Sequence, residues 1–197
     1  MKKPIFQIFA GANGSGKSTL AQQYLKNQPM PFVNTDAIAK EMQPQNVDAI
    51  RVSAGKAALR AIETLFESRV SFSIESTLSG NYLQKMISKA LELGYNIKIL
   101  YIFLDASELN IIRVQSRVLA GGHSIPRKDI VRRYYRSRFL FWHKYRFLCH
   151  DWTLFYNGQN GFEETAYGNQ SEYEIVDEAL FSLFLKDTKA NNHDEAQ

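Results

Sequence analysis

The stretch from Gly11 to Ser18 constrains the fold of this chain more than any other. It reads G-x-x-x-x-G-K-S, which is the pattern of a phosphate-binding loop. An apolar run at residues 5–10 is typical of a strand, and residues 19–26 are typical of a helix. A strand, a glycine-rich turn and a helix in this order are the context that the pattern requires. The loop comprises Gly11, Ala12, Asn13, Gly14, Ser15, Gly16, Lys17 and Ser18.

The residue types of this loop explain its chemistry. Glycine adopts backbone angles that other residues resist, so the loop can wrap around a phosphate group. Its N–H groups converge on an anion, and the N-terminus of the following helix adds the positive end of a dipole. Lys17 can reach the β- and γ-phosphates, and Ser18 can offer its hydroxyl to Mg²⁺. The alternative is a chance glycine turn with a solvated lysine, but the flanking elements favour a site for ATP with Mg²⁺.

Length and composition set the broad class. At 197 residues, one domain with a sizeable core is the expectation. The net charge of +4 is mild and does not by itself indicate a nucleic-acid partner. Cys149 is the one cysteine and cannot form an internal disulfide, which favours a cytoplasmic protein. No apolar run approaches the roughly 18 residues of a membrane span. We predict a single domain over residues 1–187, a disordered polar tail over 188–197, and no membrane association.

The apolar periodicity of the chain predicts alternating strands and helices. Strands are predicted at residues 5–10, 32–34, 70–75, 96–104, 152–156 and 163–167. Helices are predicted at residues 19–26, 37–42, 47–68, 81–93, 107–120, from 126 through the 140s, and at 174–185. Ser107 is a candidate N-cap, and Gly94 is a candidate C-cap. The alternation and the apolar strands predict an α/β fold with a mainly parallel sheet covered on both faces.

In such sheets ligands bind at the carboxyl ends of the strands, which makes the residues after each strand candidate site residues. Asp36 follows the second predicted strand. Its carboxylate could accept the proton of a substrate hydroxyl during phosphoryl transfer. The alternative is an N-cap for a helix starting at Ala37. The nearby phosphate-binding loop favours the catalytic interpretation.

Two further strand ends carry carboxylates. Glu75 ends the third predicted strand and could hold a Mg²⁺-bound water or the acceptor's hydroxyls, with Thr77 as a second polar candidate. The alternative is a solvated Glu75 next to a helix capped by Ser76 or Ser79. Asp105 follows an apolar strand, as in a Walker-B pattern. Its position before a helix favours a structural role at that N-terminus.

A basic, aromatic segment lies between Arg117 and Arg146. Three interpretations stay open: a lid whose arginines bind the triphosphate, a nucleic-acid surface, or a solvated helix face with aromatic side chains in the core. The spacing does not tell which of Arg132, Arg133 and Arg136 faces the nucleotide. The cations within it are Arg127, Lys128, Arg132, Arg133, Arg136, Arg138 and Lys144, and the interleaved aromatic residues are Tyr134, Tyr135, Phe139, Phe141, Trp142 and Tyr145. His123, in the preceding glycine turn, could contact nucleotide or bond the loop.

These pieces together resemble the zeta-toxin family of P-loop kinases. The R-x-x-x-G-G-H-x-I-P turn that leads into an arginine-rich helix is more specific than the phosphate-binding loop alone. The match covers most of residues 4–185, through the pieces G-A-N-G-S-G-K-S-T (11–19), N-T-D (34–36), F-S-I-E-S-T-L (72–78), I-F-L-D (102–105), R-V-L-A-G-G-H-S-I-P (117–126) and I-V-R-R-Y-Y-R-S (130–137).

The resemblance implies a P-loop kinase-type three-layer sandwich with an arginine-rich helical lid. ATP is then bound by residues from Gly11 through Thr19, with Lys17 on the phosphates and Ser18 on Mg²⁺. Arg117 and Arg133 serve the ATP from the lid and share the catalytic role with Lys17.

For the acceptor, the resemblance implies that Asp36 is the base and that Glu75 lines the acceptor site with Thr77 beside it. Family members phosphorylate the 3′-hydroxyl of the amino sugar in UDP-N-acetylglucosamine. This chain lacks the long C-terminal portion of the larger toxins, which leaves both this acceptor and a cognate antitoxin partner open. The alternatives are a kinase of another metabolite, nucleoside or antibiotic, and a nucleotide-gated protein that binds nucleic acid through residues 127–146.

Overall fold

The computed structural model describes residues 3–42, 50–80, 82–122 and 124–189, which form one sheet with helices on both faces. The strands are β1 (Ile5–Ala10), β2 (Phe32–Val33), β3 (Phe72–Ser76), β4 (Asn96–Phe103), β5 (Asp151–Gly158), β6 (Gly161–Gly168) and β7 (Tyr173–Ile175). The helices are α1 (Lys17–Asn27), α2 (Thr35–Met42), α3 (Arg51–Glu67), α4 (Tyr82–Glu92), α5 (Ser107–Leu119), α6 (Arg127–His143) and α7 (Glu178–Lys186), and a 3₁₀ turn covers Tyr145–Phe147.

The sheet has the strand order β2-β3-β1-β4-β5-β6-β7. The first five strands in this order, from β2 through β5, are all parallel to one another. Strand β6 is antiparallel to both β5 and β7. The predicted α/β fold with a mainly parallel sheet is therefore confirmed. Because β1 lies between β3 and β4, the loop after β1 sits at the centre of the carboxyl edge of the sheet.

The apolar core lies on both faces of the strands β1 and β4. On one face, the ring of Phe6 meets that of Phe66 edge to face at 5.6 Å and that of Phe72 at 4.9 Å. On the other face, Phe9 packs with Leu20 of α1 and its neighbours. Burial on both faces explains why the strand segments read as almost continuous apolar runs.

Helix α6 is fixed to the rest of the domain by a buried arginine. Arg138 is only 1% exposed, and its guanidinium lies 4.2 Å from the ring centroid of Tyr134 and 3.4 Å from the carboxylate of Asp187. It also donates a hydrogen bond to the carbonyl oxygen of Leu104. A buried charge is tolerated when it is paired and hydrogen-bonded in this way. This cation of the basic segment is structural.

The aromatic side chains of α6 support the core interpretation of that segment. Tyr134 and Phe141 of α6, and Tyr145 of the following 3₁₀ turn, are each at most 2% exposed. Phe141 stacks on Tyr101 of β4 with ring centroids 4.5 Å apart. Tyr135 and Trp142 are half-buried, and Phe139 is exposed. The helix also ends at His143 and does not continue through the 140s, because the chain enters the 3₁₀ turn.

The predicted C-terminal helix over residues 174–185 is wrong at its start. Glu174 and Ile175 belong to β7, where they pair with Tyr167 and Ala166 of β6. The helix begins only after Asp177, whose Oδ1 accepts a hydrogen bond from the backbone N–H of Leu180 at 2.8 Å. This N-cap sets the boundary. Of the predicted tail, Thr188 is buried, and residues 190–197 lie outside the described part of the chain.

Other element ends refine the prediction. Ser107 is not an N-cap, because α5 begins at Ser107 itself after an extended Ala106. Gly94 ends α4 as predicted, with a φ of 78° and its N–H donating to the carbonyl of Leu91 at 2.9 Å. The first residues of the helix predicted from 47 lie outside the described ranges. Within those ranges, no helix combines the length and the apolar character that a membrane crossing requires.

Candidate active site

The loop of residues 11–18, named the donor loop from here on, lies between β1 and α1 at the centre of the carboxyl edge. Gly11 has a φ of 140°, and a Cβ there would stand 2.3 Å from the carbonyl oxygen of Ile102. Gly16 has a φ of 102° and directly precedes the first residue of α1. These positions require glycine, and they leave the N-terminus of α1 facing the loop. The loop therefore fits a phosphate group.

A cleft of about 570 Å³ opens over this loop. Its lining brings together the donor loop, the residues after β2 and β3, and three arginines. The lining residues are Asn13, Gly14, Gly16, Lys17, Ser18, Thr19, Asn34, Thr35, Asp36, Ala39, Glu75, Ser76, Thr77, Arg113, Arg117, Ile125, Arg133 and Asn157. Gly11, Ala12 and Ser15 are buried in the loop behind this surface.

Lys17 stands between opposite charges in the cleft. Burial lowers the pKa of its ammonium group, and the nearby Arg117 and Arg133 lower it further. Glu75 and Asp36 act in the opposite direction because their negative charges favour the protonated lysine. The structure thus brings together the five charged residues that the sequence singled out. The cationic side of the cleft lies at Arg117 and Arg133, and the anionic side lies at the ends of β2 and β3.

Asn34 organises the anionic side. Its Nδ2 donates a hydrogen bond to Glu75 Oε1 at 2.7 Å, and its Oδ1 accepts one from the backbone N–H of Ala37 at 3.0 Å. Asn34 is therefore the residue that caps α2, and the alternative of Asp36 as the N-cap is wrong. Asp36 lies in the first turn of α2, exposed towards the cleft. The N-terminal end of a helix favours a carboxylate at this position.

The segment of residues 76–80, named the acceptor loop from here on, turns sharply after β3. Leu78 has a φ of 55°, and its backbone N–H donates to Ser76 Oγ at 3.0 Å. Thr77 Oγ1 and Ser79 Oγ share a hydrogen bond of 2.8 Å. The backbone N–H of Gly11 donates to the carbonyl of Ser76 at 3.2 Å, so the donor and acceptor loops are directly joined.

The structure distinguishes the three arginines that spacing could not separate. Arg133 lines the cleft and donates from Nη1 to Asn13 Oδ1 at 3.0 Å in the donor loop. Arg136 donates from Nε to the carbonyl of Ser79 at 3.1 Å. Arg132 pairs with Asp129 at 3.1 Å on the surface. Of these three, Arg133 is the one that lines the cleft.

Asn34 was not predicted as a site residue, and two further polar residues of the cleft, Asn157 and Arg113, were also missed from the sequence. Asn157, at the end of β5, donates from Nδ2 to the carbonyl of Ser15 at 2.8 Å. Arg113 of α5 donates from Nη2 to the carbonyl of Asn157 at 3.1 Å. Asn157 precedes a glycine and reads as an ordinary turn residue, and Arg113 reads as a solvated helix position. Only the pairing of β5 with β4 brings them to the donor loop.

Asp105 lies outside the cleft lining, in line with the structural interpretation. Its carbonyl accepts a hydrogen bond from Tyr134 Oη at 2.8 Å. Its carboxylate accepts one from Tyr156, and together with burial this raises the pKa of that phenol to about 12. His123 lies outside the described residues. Among the described part of the chain, no group of three or more His, Cys, Asp or Glu side chains is placed to hold a metal ion.

Comparison with known proteins gives the family. Residues 7–140 match the family model described as AAA domain, and the chain belongs to this family. The match spans the donor loop, both cleft carboxylates and the lid arginines. An uncharacterized protein of Haemophilus influenzae is 35% identical over 130 residues, which are 66% of this chain and 90% of that protein.

Two solved structures share the fold. The crystal structure of the AvrRxo1-ORF1:-ORF2 complex with ATP contains a chain with a TM-score of 0.73 at 16% identity, over 95% of this chain and 64% of that chain. This chain therefore spans less than two thirds of that neighbour's length. The PezAT toxin-antitoxin system of Streptococcus pneumoniae matches with a TM-score of 0.64 at 17% identity, over 95% of this chain and 86% of that chain. The predicted P-loop kinase-type architecture is confirmed.

Proposed function

We propose that this protein is a phosphotransferase that passes the γ-phosphoryl group of ATP to a hydroxyl of a small molecule. The observation that carries the proposal is one cleft in which Lys17 of the donor loop faces the carboxylates of Asp36 and Glu75. A kinase has to bind a phosphoryl donor and a hydroxyl acceptor next to each other. The pair of acids opposite the arginines gives this cleft a second polar side that fits the acceptor.

The donor side fits Mg·ATP. The backbone N–H groups of the donor loop would hold the phosphates, and the Ser18 hydroxyl would hold Mg²⁺. Mg·ATP supplies the phosphoryl group together with a cation that neutralises part of its charge. In this structure the Lys17 ammonium group donates a hydrogen bond to the carbonyl oxygen of Ala12 at 3.0 Å. With Mg·ATP bound, the same group would contact the phosphates. Arg117 and Arg133 would stabilise the charge of the transferring group, an effect worth about 10³–10⁵-fold for an arginine in such sites.

The acceptor side fits a hydroxyl group. Among the described residues, none donates a hydrogen bond to the Asp36 carboxylate, so it is available to take or orient the proton of an incoming hydroxyl. General-base assistance of this kind is worth about 10²–10⁴-fold. Glu75, fixed by Asn34, and Thr77 would bind other hydroxyls of the same molecule.

For the acceptor we propose a UDP-amino sugar as the first candidate, with its 3′-hydroxyl as the reacting group. The motifs shared with zeta toxins and the fold shared with the PezAT system support this choice. The same likenesses support an antitoxin protein as a partner. A kinase of another metabolite, a nucleoside or an antibiotic would use the same residues in the same roles.

A nucleic-acid-binding function has less support. The nucleic-acid interpretation depends on the aromatic residues that are interleaved with the arginines, because bases stack on exposed rings. Tyr134, Phe141 and Tyr145 are buried and cannot stack on a base. Binding of single-stranded RNA or DNA at low salt, falling steeply as salt is added, would revive this alternative.

The test is incubation of the protein with Mg·ATP and a panel of UDP-amino sugars, nucleosides, free sugars and aminoglycosides. The readout is the intact mass of each acceptor. We expect one class to gain a single phosphate in an ATP-dependent reaction. A protein that binds ATP but phosphorylates no class of hydroxyl compound would contradict the proposal. The Lys17→Ala variant controls for contaminating kinases.

A further inference from the structure

Two arginines one turn apart on α6 reach two different loops of the cleft. Arg133 donates from Nη1 to Asn13 Oδ1 in the donor loop at 3.0 Å. Arg136 donates from Nε to the carbonyl of Ser79 in the acceptor loop at 3.1 Å. Residues three apart on a helix lie on the same side of it. One side of α6 therefore contacts both of the loops between which a phosphoryl group has to pass.

The acceptor loop contains a strained backbone conformation at Leu78, which contacts with the rest of the domain must stabilise. Leu78 is fully buried with a φ of 55°, a region that a leucine adopts only at a cost in free energy. Inside the loop, the side-chain hydrogen bonds among described residues are those of Ser76 Oγ with the Leu78 N–H and of Thr77 with Ser79. The Arg136 guanidinium adds a charged donor from a different element, and such bonds are stronger than neutral ones.

Helix α6 is a rigid support for this contact. Arg138, on another side of the helix, is buried against Tyr134 and paired with Asp187 of the C-terminal segment. Arg138 also donates to the carbonyl of Leu104 at the end of β4. A helix fixed in this way to the sheet and to the C-terminal segment holds the backbone positions of Arg133 and Arg136 at a constant separation.

We propose that Arg136 is a positioning residue for the acceptor side, and that it couples the acceptor loop to the occupation of the donor loop through α6. Nucleotide on the donor loop restrains Arg133, the rigid helix transmits this restraint to Arg136, and Arg136 holds Ser79. Thr77 and the end of β3 are thereby set in place. The inference rests on the proposed function, because it needs nucleotide in the cleft.

Amide hydrogen exchange tests the coupling without knowledge of the acceptor. The parent, Arg136→Gln and the surface control Arg132→Gln are compared with and without Mg²⁺ and a non-hydrolysable ATP analogue. In the parent and the control, we expect the analogue to slow exchange in both loops. In Arg136→Gln with the analogue bound, we expect the donor loop to be protected as in the parent, while residues 76–80 exchange about tenfold faster than in the parent, the factor expected for loss of a bond to a charged donor. The hydrogen bond from Gly11 to Ser76, which joins the two loops directly, is present in both proteins.

Several outcomes would overturn the inference. Exchange at residues 76–80 that is equal in the parent and in Arg136→Gln contradicts it, and so does an analogue that protects the donor loop of the parent without protecting the acceptor loop. No protection of the donor loop in the parent contradicts the proposed function itself. If Arg136→Gln does not fold, Arg136→Lys keeps the charge but lacks the Nε donor, and the same comparison applies.

Once an acceptor is known, kinetics separate positioning from a purely structural role. Arg136→Gln is expected to raise KM for the acceptor about tenfold while KM for ATP changes less than about twofold. Equal changes in both constants, or changes that follow a lowered unfolding temperature, contradict a positioning role.

Discussion

The side chain of Asn34 donates a 2.7 Å hydrogen bond to the carboxylate of Glu75, across the gap between β2 and β3. The same side chain caps α2 by accepting from the N–H of Ala37. One amide thus orients one acid of the cleft and fixes the helix that carries the other acid, Asp36. Asn34 contributes to stability and to the proposed acceptor site at the same time.

Asn34→Ala should lower both the free energy of unfolding and the phosphotransferase activity. Loss of an N-cap costs about 1 kcal/mol, and the cost rises towards 2 kcal/mol here because Glu75 loses its donor as well. The measurement is denaturant unfolding together with kcat/KM for the acceptor.

Asp177→Ala is the matched control for this variant. It removes the N-cap of α7, a helix that contributes no residue to the cleft lining, and it should cost a similar free energy with unchanged activity. Equal losses of activity in the two variants would mean that Asn34 acts only through stability.

Gly11→Ala should prevent formation of the donor loop. A methyl group at a φ of 140° would stand 2.3 Å from the carbonyl of Ile102 and 2.7 Å from Ser15 Oγ. We expect loss of nucleotide binding and a lower unfolding temperature.

The control is Gly55→Ala in α3, where a Cβ meets no atom within 4 Å. That variant should gain about 0.5–1 kcal/mol from helix propensity. A Gly11→Ala protein that binds ATP with parental affinity would contradict the geometry of the loop.

Lys17→Met should make the protein more stable near neutral pH while it abolishes nucleotide binding. The pKa of Lys17 is lowered in the folded protein from 10.5, mainly by burial, so the unfolded chain binds this proton more tightly than the folded one. Protonation therefore disfavours folding below the lowered pKa, and this cost disappears as the pH rises through it towards 10.5. Denaturant unfolding at a series of pH values rising to about 10.5 should show the variant's advantage shrinking as the pH passes through the lowered pKa. An advantage that is independent of pH would contradict burial of the charge.

The sequence predicted the donor loop from its glycine pattern, and Asp36 and Glu75 from their positions at strand ends, because the carboxyl ends of parallel strands meet at one edge of the sheet. It did not predict the roles of Asn157 and Arg113, because their hydrogen bonds to the donor loop and to each other depend on the tertiary placement of β5 and α5. The sequence also left open which side of the arginine-rich helix α6 faces the cleft. Arg132 and Arg133 are adjacent in the sequence, and only the structure shows that Arg132 contacts Asp129 on the surface while Arg133 contacts Asn13 of the donor loop.

The predicted starts of two helices, α7 and α2, were wrong because two sequence patterns overlap at each of them. Ile175 continues the apolar spacing of α7, but pairing with β6 places it in an edge strand. Asp177 is the N-cap that marks the true boundary. Around α2, both Asn34 and Asp36 are residue types that cap helices, and only the position of the helix start at Thr35 identifies Asn34.

In the proposed reaction, Asp36 assists phosphoryl transfer and does not bind ATP. The most direct measurement compares Asp36→Asn with the parent for ATP affinity, by titration calorimetry, and for phosphorylated product, by mass. We predict ATP affinity within about twofold of the parent and a transfer rate lower by about 10²–10⁴-fold, the range for loss of a general base. Transfer at the parental rate, or loss of ATP binding in proportion to loss of transfer, would contradict the account.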